Sequence, residues 1–319
     1  MNALYLTAPG GVGEVVEGAD LAALALRHCE LADGDVLAIT SKVVSKAEGR
    51  RGTGPREEAL AAETQRVVAR RGPTTIVRNR LGLTMAAAGI DASNVAAGEH
   101  LLLPLDPDGT ARTIREQIAE RAGVNVAVLI TDTAGRAWRT GQTDIAIGAA
   151  GLLVQEEFAG REDAYGNPLA VTAPAVADEL AGAAELASGK LGGRPFVVIR
   201  GRADLVLDAG AHGTGAGVLN RPDGEDLFGL GARAAVVAAL TGTQAVAFGA
   251  PAPAEDLAAA LQEIGAGTVE VLPEQVRWVP AEGSMPPAAA LAALGHAYAW
   301  HGELDAVVGG TVLFRPVVP

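Results

Sequence analysis

Hydroxyl and lysine side chains follow directly on a short apolar run near the N-terminus. Residues 35–40 predict a buried strand, and Ser41, Lys42 and Lys46 come next. Open α/β sheets usually bind ligands at the carboxyl ends of their strands, and lysine is a compact cation suited to phosphate. The segment therefore predicts an anion-binding edge. A solvated surface is the alternative, and it explains a single lysine better than two beside one strand end.

Carboxylates recur in two further segments. Asp91 and Asn94 lie three residues apart in a turn-like stretch, and Asp132 follows the apolar run 124–131. A hard divalent cation prefers carboxylate oxygen, and Mg2+ commonly takes one or two carboxylates with phosphate and water as its other ligands. Asp91 and Asp132 are therefore the leading metal-ligand candidates. Taken singly, each of these side chains is more typical of a turn or a cap, whereas the joint order and spacing of the segments favour metal ligands.

The familiar nucleotide-binding motifs are missing from the sequence. No Gly-x4-Gly-Lys-Ser/Thr occurs, and the glycines of 213–217 lack the strand-to-helix setting of a dinucleotide fingerprint. The five histidines show no zinc-type spacing with cysteine. A nucleotide would therefore have to be bound by dispersed lysines, backbone amides and a metal.

Composition narrows the class of protein. A chain of 319 residues fits one large domain or two ordinary ones, and we prefer two. The net charge of −13 opposes binding to nucleic acid or to an anionic membrane, and no apolar run reaches the roughly 20 residues of a membrane span. The single cysteine, Cys29, excludes an internal disulfide, and the N-terminus lacks a basic signal-peptide region. We expect a cytoplasmic protein with small-molecule ligands.

Apolar spacing and capping residues predict alternating helices and strands. The predicted helices are one after Asp20, one over 56–71, one from a capping box at Thr113 to Gly123, one over 174–188, and two over 254–264 and 287–300. The predicted strands are 35–40, 74–77, 124–131, 196–199 and 268–272, which places Asp132 at a strand terminus.

The three polar segments, in this order, resemble the coenzyme F420-0:γ-glutamyl ligase family. The resemblance continues through 138–148, 160–169 and 175–181 and covers roughly residues 4 to 230. It implies an α+β fold of mixed α/β layers that forms an intertwined homodimer. Residues 1–230 would be the ligase domain, and 231–319 would be a small α/β extension of unknown role.

The resemblance also implies site residues. The nucleotide-binding positions would be Val12, Gly13, Glu14, Val15, Ser41, Lys42, Lys46, Asn94, Leu186, Ala187, Ser188, Gly189, Lys190, Leu191, Gly192 and Gly193. Two divalent ions, Mg2+ or Mn2+, would be held by Asp91, Asp132, Thr133 and Ser188, with K+ as a further cation. Lys190 stands where some members carry an acidic residue, which puts the ligation of the second metal in doubt.

The implied reaction joins L-glutamate to the lactyl carboxylate of F420-0 at the expense of GTP, through an acyl phosphate. Arginine binds carboxylates and phosphodiesters in a bidentate manner. The acceptor's phosphate or the glutamate is therefore expected near five charged residues, although structural ion pairs explain them equally well. They are Arg136, Arg139, Asp144, Arg161 and Asp163. No side chain identifies itself as the base.

Three other hypotheses stay open on the sequence alone. The chain could be a carboxylate-amine ligase with another acceptor, which the same phosphate and metal residues would serve. It could bind metal and nucleotide without turnover. It could also carry a flavin-dependent reductase domain after 226–228, but too few residues follow and an arginine-rich flavin-binding start is missing.

Overall fold

The computed structural model describes residues 3–93, 95–304 and 310–317. Its helices are α1 (Leu21–His28), α2 (Ser41–Ala47), α3 (Arg56–Glu63), α4 (Pro107–Ala122), α5 (Val176–Ser188), α6 (Ala232–Thr241), α7 (Ala254–Ile264) and α8 (Ala288–Tyr298). Its strands are β1 (Tyr5–Thr7), β2 (Val36–Thr40), β3 (Arg51–Thr53), β4 (Thr64–Arg71), β5 (Thr74–Asn79), β6 (Thr84–Ala86), β7 (Glu99–Leu101), β8 (Ala127–Arg136), β9 (Arg139–Ala150), β10 (Arg161–Glu162), β11 (Pro168–Leu169), β12 (Phe196–Arg200), β13 (Gly267–Leu272), β14 (Gln275–Pro280), β15 (Trp300–Leu304) and β16 (Val312–Pro316). Asn94 lies outside the described residues.

The chain divides into two compact units. Unit 1 consists of Met1–Arg66 and Ile76–Asn220, and unit 2 of Val67–Thr75 and Arg221–Pro319. Every predicted site residue that the structure describes belongs to unit 1. The mixture of helices and sheets confirms the mixed α/β class expected from the sequence.

A five-stranded sheet of order β1-β12-β2-β8-β9 forms the centre of unit 1. β2 and β8 are parallel, from Val36↔Ala127 to Thr40↔Thr131, and the other pairs are antiparallel. Because successive side chains of a strand point to opposite faces, Leu37 and Ile39 pack with α1 and α4. Val36 and Ala38 pack with α5 on the other face. The parallel neighbours β2 and β8 therefore deliver their carboxyl ends to one edge between two helical layers.

Two predicted helices of unit 1 have different bounds in the structure. The helix predicted over 56–71 is wrong beyond Glu63, where β4 begins; the β-branched pair Val67 and Val68 favours extended chain. The predicted start at Thr113 is also wrong, because Asp106 caps α4 and Pro107 occupies its first position. Its predicted end is confirmed by Gly123, whose φ of 68° closes the helix.

Unit 2 has its own core beneath a four-stranded antiparallel sheet of order β13-β14-β16-β15. The buried members include Leu257 and Leu261 of α7 and the aromatic residues Trp278, Trp300 and Phe314. The predicted helix over 254–264 is confirmed, and the helix predicted over 287–300 is α8. None of the helices in the described ranges has the length and apolar character needed to cross a membrane.

Candidate functional site

The lysines after β2 lie on α2, a short helix that the sequence analysis did not predict. Val43 and Val44 anchor α2 in the core. Ser41 and Lys46 are buried although both are polar, and Lys42 is partly buried. Burying an ammonium group is costly without a partner, so these side chains must meet oppositely charged or hydrogen-bonding groups.

Asp132 meets α2 across the β2 and β8 strand ends. The Ser41 hydroxyl donates to Asp132 Oδ1 at 2.6 Å. The prediction that Asp132 ends its strand is wrong, because β8 runs on to Arg136 as one arm of a hairpin with β9. The parallel pairing with β2 ends one residue earlier, at Thr131, so Asp132 still lies at the edge expected for ligands.

The electrostatic surroundings of Asp132 disfavour a negative charge. Burial raises the pKa of its carboxyl to about 6; the Ser41 hydrogen bond and Lys42 oppose the rise, and the charges of Asp144 and Asp91 add to it. A bound divalent cation would reverse this penalty, since an opposite charge favours the ionised carboxylate.

Asp91 is held beside Lys42. The Lys42 ammonium lies 2.8 Å from Asp91 Oδ2, and Ser93 donates its backbone N–H and its hydroxyl to the same carboxylate. Burial would raise the pKa of Asp91, but these hydrogen bonds outweigh it and hold the pKa below its ordinary value. The backbone N–H of Asp91 donates to the Leu101 carbonyl at 3.0 Å, which fixes the loop.

Asp144, predicted near the substrate, organises two threonines. It is buried on β9 and accepts hydrogen bonds from Thr131 Oγ1 at 3.1 Å and Thr133 Oγ1 at 2.7 Å. The Lys190 ammonium donates to Thr133 Oγ1 at 2.6 Å and lies 3.4 Å from Glu185. Burial raises the pKa of Asp144. Lys190 thus brings a positive charge next to the predicted metal ligand Thr133.

The predicted N-terminal nucleotide loop, residues 12–15, contacts Lys46 through Glu14. Glu14 Oε1 lies 2.8 Å from the Lys46 ammonium, and Arg51 reaches the same oxygen at 3.2 Å. The Lys46 hydrogen bond lowers the pKa of Glu14. Gly13 and Val15 flank Glu14, and the φ of 77° at Gly13 is a conformation that favours glycine. Val12 packs against the core.

The predicted segment 186–193 begins as the last turn of α5 and continues as a glycine-rich loop. Ser188 is the final helical residue and donates its hydroxyl to Glu185. Gly189 and Gly193 have positive φ values of 65° and 59°. Leu186 and Leu191 are exposed.

The lysine, aspartate and hydroxyl side chains described above line two neighbouring cavities in unit 1. The lysine cavity, of about 290 Å³, is lined by Glu14, Lys42, Lys46, Thr133, Ser188 and Lys190 among others. The aspartate cavity, of about 320 Å³, is lined by Lys42, Arg56, Asp91, Asp132, Thr133, Gln142 and Lys190 among others. Lys42, Thr133 and Lys190 line both, so the two cavities adjoin. The arrangement can hold an anionic ligand on one side and a second substrate on the other.

Four predicted substrate residues lie outside both cavities. Arg136 and Arg139 lie opposite each other at the exposed end of the β8–β9 hairpin. The preceding opposed residues of the hairpin, Gly135 and Gln142, line the aspartate cavity. Arg161 stacks over Phe158 at 5.0 Å, and Asp163 accepts hydrogen bonds from Tyr165 and Asn167 of its own turn. Substrate binding by these residues stays a prediction.

The donor set fits a hard cation bound together with a phosphate ligand. Within the ranges that the structure describes, no three His, Cys, Asp or Glu side chains form a ready metal site. Mg2+ does not require one, because it usually takes one or two carboxylates and completes its shell with phosphate oxygens and water. Asp132, crowded by the charges of Asp91 and Asp144, provides the excess negative charge that such an ion needs.

Sequence reasoning missed several side chains at the two cavities. Glu185 lies three residues before Ser188, and a helical period could have placed it on the same face. Arg56 belongs to the helix predicted over 56–71, and Gln142 belongs to the segment 138–148 that resembles the family. Only the folded chain brings the two side chains to the aspartate cavity. Their sequence separation from Asp91 gives no local signal.

The fold and the site define a mixed α/β protein in which lysines, carboxylates and hydroxyls meet where two parallel strands end. The family model for F420-0:Gamma-glutamyl ligase matches residues 11–201. The chain belongs to the F420-0:gamma-glutamyl ligase family.

Three similar proteins support the same family assignment. The chain is 42% identical over 212 residues to the coenzyme F420:L-glutamate ligase of Archaeoglobus fulgidus, covering 60% of this chain and 85% of the relative. It is 42% identical over 210 residues to that of Methanopyrus kandleri, covering 59% and 83%. It is 38% identical over 216 residues to that of Haloarcula marismortui, covering 60% and 84%.

Proposed function

We propose that this protein is a GTP-dependent ligase that joins the α-amine of L-glutamate to the lactyl carboxylate of coenzyme F420-0, in F420 biosynthesis. The observation that carries the proposal is the meeting of two cavities at Lys42, Thr133 and Lys190, beside Asp91 and Asp132. The relatives, which are named coenzyme F420:L-glutamate ligases, supply the substrates.

The lysine cavity is the proposed nucleotide site. Lys42 and Lys46 would bind phosphate oxygens, and the glycine-rich loop after Ser188 would let backbone amides approach them. Lys46 is buried and already holds the carboxylate of Glu14, so its environment favours an ammonium beside an anion. GTP would displace Glu14 from this ion pair.

A carboxylate is a poor electrophile, so the proposed reaction proceeds in two steps. First, a carboxylate oxygen of F420-0 attacks the γ-phosphorus of GTP; the bond to the β-phosphate oxygen breaks, and GDP leaves. The glutamate amine then attacks the acyl carbon, inorganic phosphate leaves with the bonding electron pair, and the nitrogen loses a proton. Lys42 and Lys190 lie where the cavities adjoin and would offset charge on the transferred group.

Asp91, Asp132, Thr133 and Ser188 are the residues that would hold Mg2+ or Mn2+, at two sites. The metal would supply charge neutralisation and alignment of the reacting oxygens. Ser41 fixes Asp132 through its 2.6 Å hydrogen bond, and Asp144 fixes Thr133. The proposal also includes a K+ ion, addition of further γ-linked glutamates, a homodimer and a cytoplasmic location.

The test is an omission assay with purified protein, GTP and Mg2+ or Mn2+. GDP should accumulate beyond one equivalent per enzyme only when F420-0 and L-glutamate are both present, and the acceptor mass should rise by one glutamyl unit. GDP formation that does not need either substrate, or an unchanged acceptor mass, would contradict the proposal. Light scattering of the eluted protein tests the homodimer separately.

A further inference from the structure

Arg56 is a charged lining residue of the aspartate cavity that neither the sequence motifs nor the proposed mechanism uses. It is the first residue of α3, directly after Pro55, and its side chain is exposed. It lines the aspartate cavity but not the lysine cavity. Its guanidinium is therefore available to a ligand of the former.

The guanidinium of Arg56 is tied to the loop that carries Asp91. Its Nη2 donates to the Ile90 carbonyl at 2.9 Å. Ile90 follows a tight turn in which Ala87 and Ala88 have φ values of 49° and 56°. A single hydrogen bond to one carbonyl leaves most of the five guanidinium N–H groups for another acceptor. The loop thus positions the guanidinium without occupying it.

The charges lining the aspartate cavity indicate the chemical class of that acceptor. Lys42 is paired with Asp91, and Lys190 lies beside Glu185. Arg56 has no carboxylate partner among the residues that the structure describes; its bond is to a neutral carbonyl. A guanidinium on a cavity wall without an anion favours a planar oxyanion, which it can bind through two parallel hydrogen bonds.

We propose that Arg56 binds one of the two carboxylates of the incoming L-glutamate and so contributes to the selection of this amino acid. The inference rests on the proposed function and adds a specificity-determining residue to it. A carboxylate held by Arg56 places the amino acid in the aspartate cavity, next to the Lys42, Thr133 and Lys190 junction. The phosphates of the nucleotide belong to the lysine cavity, which Arg56 does not line.

The test measures the KM of each substrate for Arg56→Gln, Arg56→Lys and the wild type. Loss of a charge-assisted bidentate contact should raise the KM for L-glutamate by about tenfold to hundredfold in Arg56→Gln and by less in Arg56→Lys. The KM values for GTP and F420-0 should stay within about twofold of the wild-type values, a change much smaller than the expected rise in the KM for L-glutamate. The matched control is Arg112→Gln, which removes an exposed arginine of α4 outside both cavities and should change nothing.

Analogues of the amino acid separate recognition from a general loss of structure. The wild type should prefer L-glutamate to its α- and γ-monoamides, and Arg56→Gln should lose the preference over one of them. A rise in the KM for F420-0 or GTP instead, or an unchanged KM for glutamate, overturns the inference.

Direct binding keeps the inference testable if the ligase reaction itself fails. Calorimetric titration of GTP-loaded protein with L-glutamate should show binding that Arg56→Gln loses and Arg112→Gln retains. If the wild type makes no F420 product but shows this pattern, the proposed acceptor is wrong and the role of Arg56 stands. Equal glutamate affinity in the wild type and Arg56→Gln, or no binding to either, contradicts the role of Arg56.

Discussion

At the residue scale, the three lysines of the site already hold acceptors from the protein itself. Lys46 holds Glu14, Lys42 holds Asp91, and Lys190 holds Thr133 and Glu185. These contacts let the chain bury charge in the absence of ligand. Each of them is also a contact that a phosphate or a metal would replace, so ligand affinity depends on how tightly the protein's own groups compete.

Glu14 is therefore expected to oppose nucleotide binding. Glu14→Gln removes the charge that competes with phosphate for Lys46, and we expect GTP to bind about two- to fivefold more tightly, as for the loss of one partly exposed ionic contact. Lys46→Met should weaken GTP binding by tenfold or more, since it removes a charge-assisted bond. Fluorescence titration with a labelled GTP analogue measures both. Glu17→Gln, on the same loop, is the control that should bind GTP like the wild type.

Asp132 should make stability depend on pH in a predictable direction. Its pKa is raised from the ordinary 3.8 to about 6, so the folded state binds this proton more tightly than the unfolded state does. Between pH 4 and pH 6 the contribution of Asp132 to stability therefore falls as the pH rises. Asp132→Asn does not titrate, and its amide oxygen can still accept the Ser41 hydrogen bond.

Above pH 7, in metal-free buffer, Asp132→Asn should be more stable than the wild type by on the order of 1–3 kcal/mol. The difference should vanish below pH 4, where the wild-type carboxyl is protonated. Urea denaturation across this pH range measures it. A variant less stable than the wild type at pH 7.5 would show that Asp132 is not a strained anion.

At the element scale, the turn before Asp91 stores backbone strain. Ala87 and Ala88 lie in the left-handed region, which costs an L-residue about 1 kcal/mol each. Ala87→Gly should raise the free energy of unfolding by up to about 1 kcal/mol, because glycine adopts this conformation freely. Thermal denaturation measures the change.

Ala86→Gly provides the opposite control, since Ala86 has an ordinary extended conformation with φ of −67°. It should destabilise the protein by roughly 0.5–1 kcal/mol through backbone entropy. Destabilisation by both substitutions would mean that the turn at Ala87 is not strained.

Sequence patterns predicted elements where local signals agreed and failed where tertiary contacts decided. The Asp20 cap of α1 and the bounds of α7 follow from capping and apolar period, and the structure confirms them. The helix predicted over 56–71 stops at Glu63, whose buried carboxylate pairs with Arg50 and Arg80, partners outside the predicted helix. The contact of Ser41 with Asp132 spans 91 positions, so no local pattern predicted it; the family resemblance implied only that both residues belong to one site.

At the scale of the whole molecule, the site lies within one unit. The archaeal relatives align over most of their own length but only about 60% of this chain. Both cavities are lined by residues of unit 1. The second part of unit 2 lies beyond the residues that the family model matches.

A chain ending at Asn220 should accordingly keep nucleotide binding. We expect its affinity for a labelled GTP analogue to remain within about threefold of that of the full chain, because residues of unit 1 line both cavities. A threefold change corresponds to less than about 1 kcal/mol of binding free energy. Circular dichroism checks that the shortened chain is folded. A folded chain that no longer binds the nucleotide would show that unit 2 completes the site.

We propose that the two adjoining cavities carry out ligation through an acyl phosphate. The most direct test uses F420-0 labelled with 18O in both oxygens of its lactyl carboxylate, together with GTP and unlabelled L-glutamate. With an acyl-phosphate intermediate, the phosphate released carries one 18O for each amide bond formed, and the other 18O stays in the new amide carbonyl. Unlabelled phosphate, formed together with the glutamylated product, would contradict the acyl-phosphate mechanism.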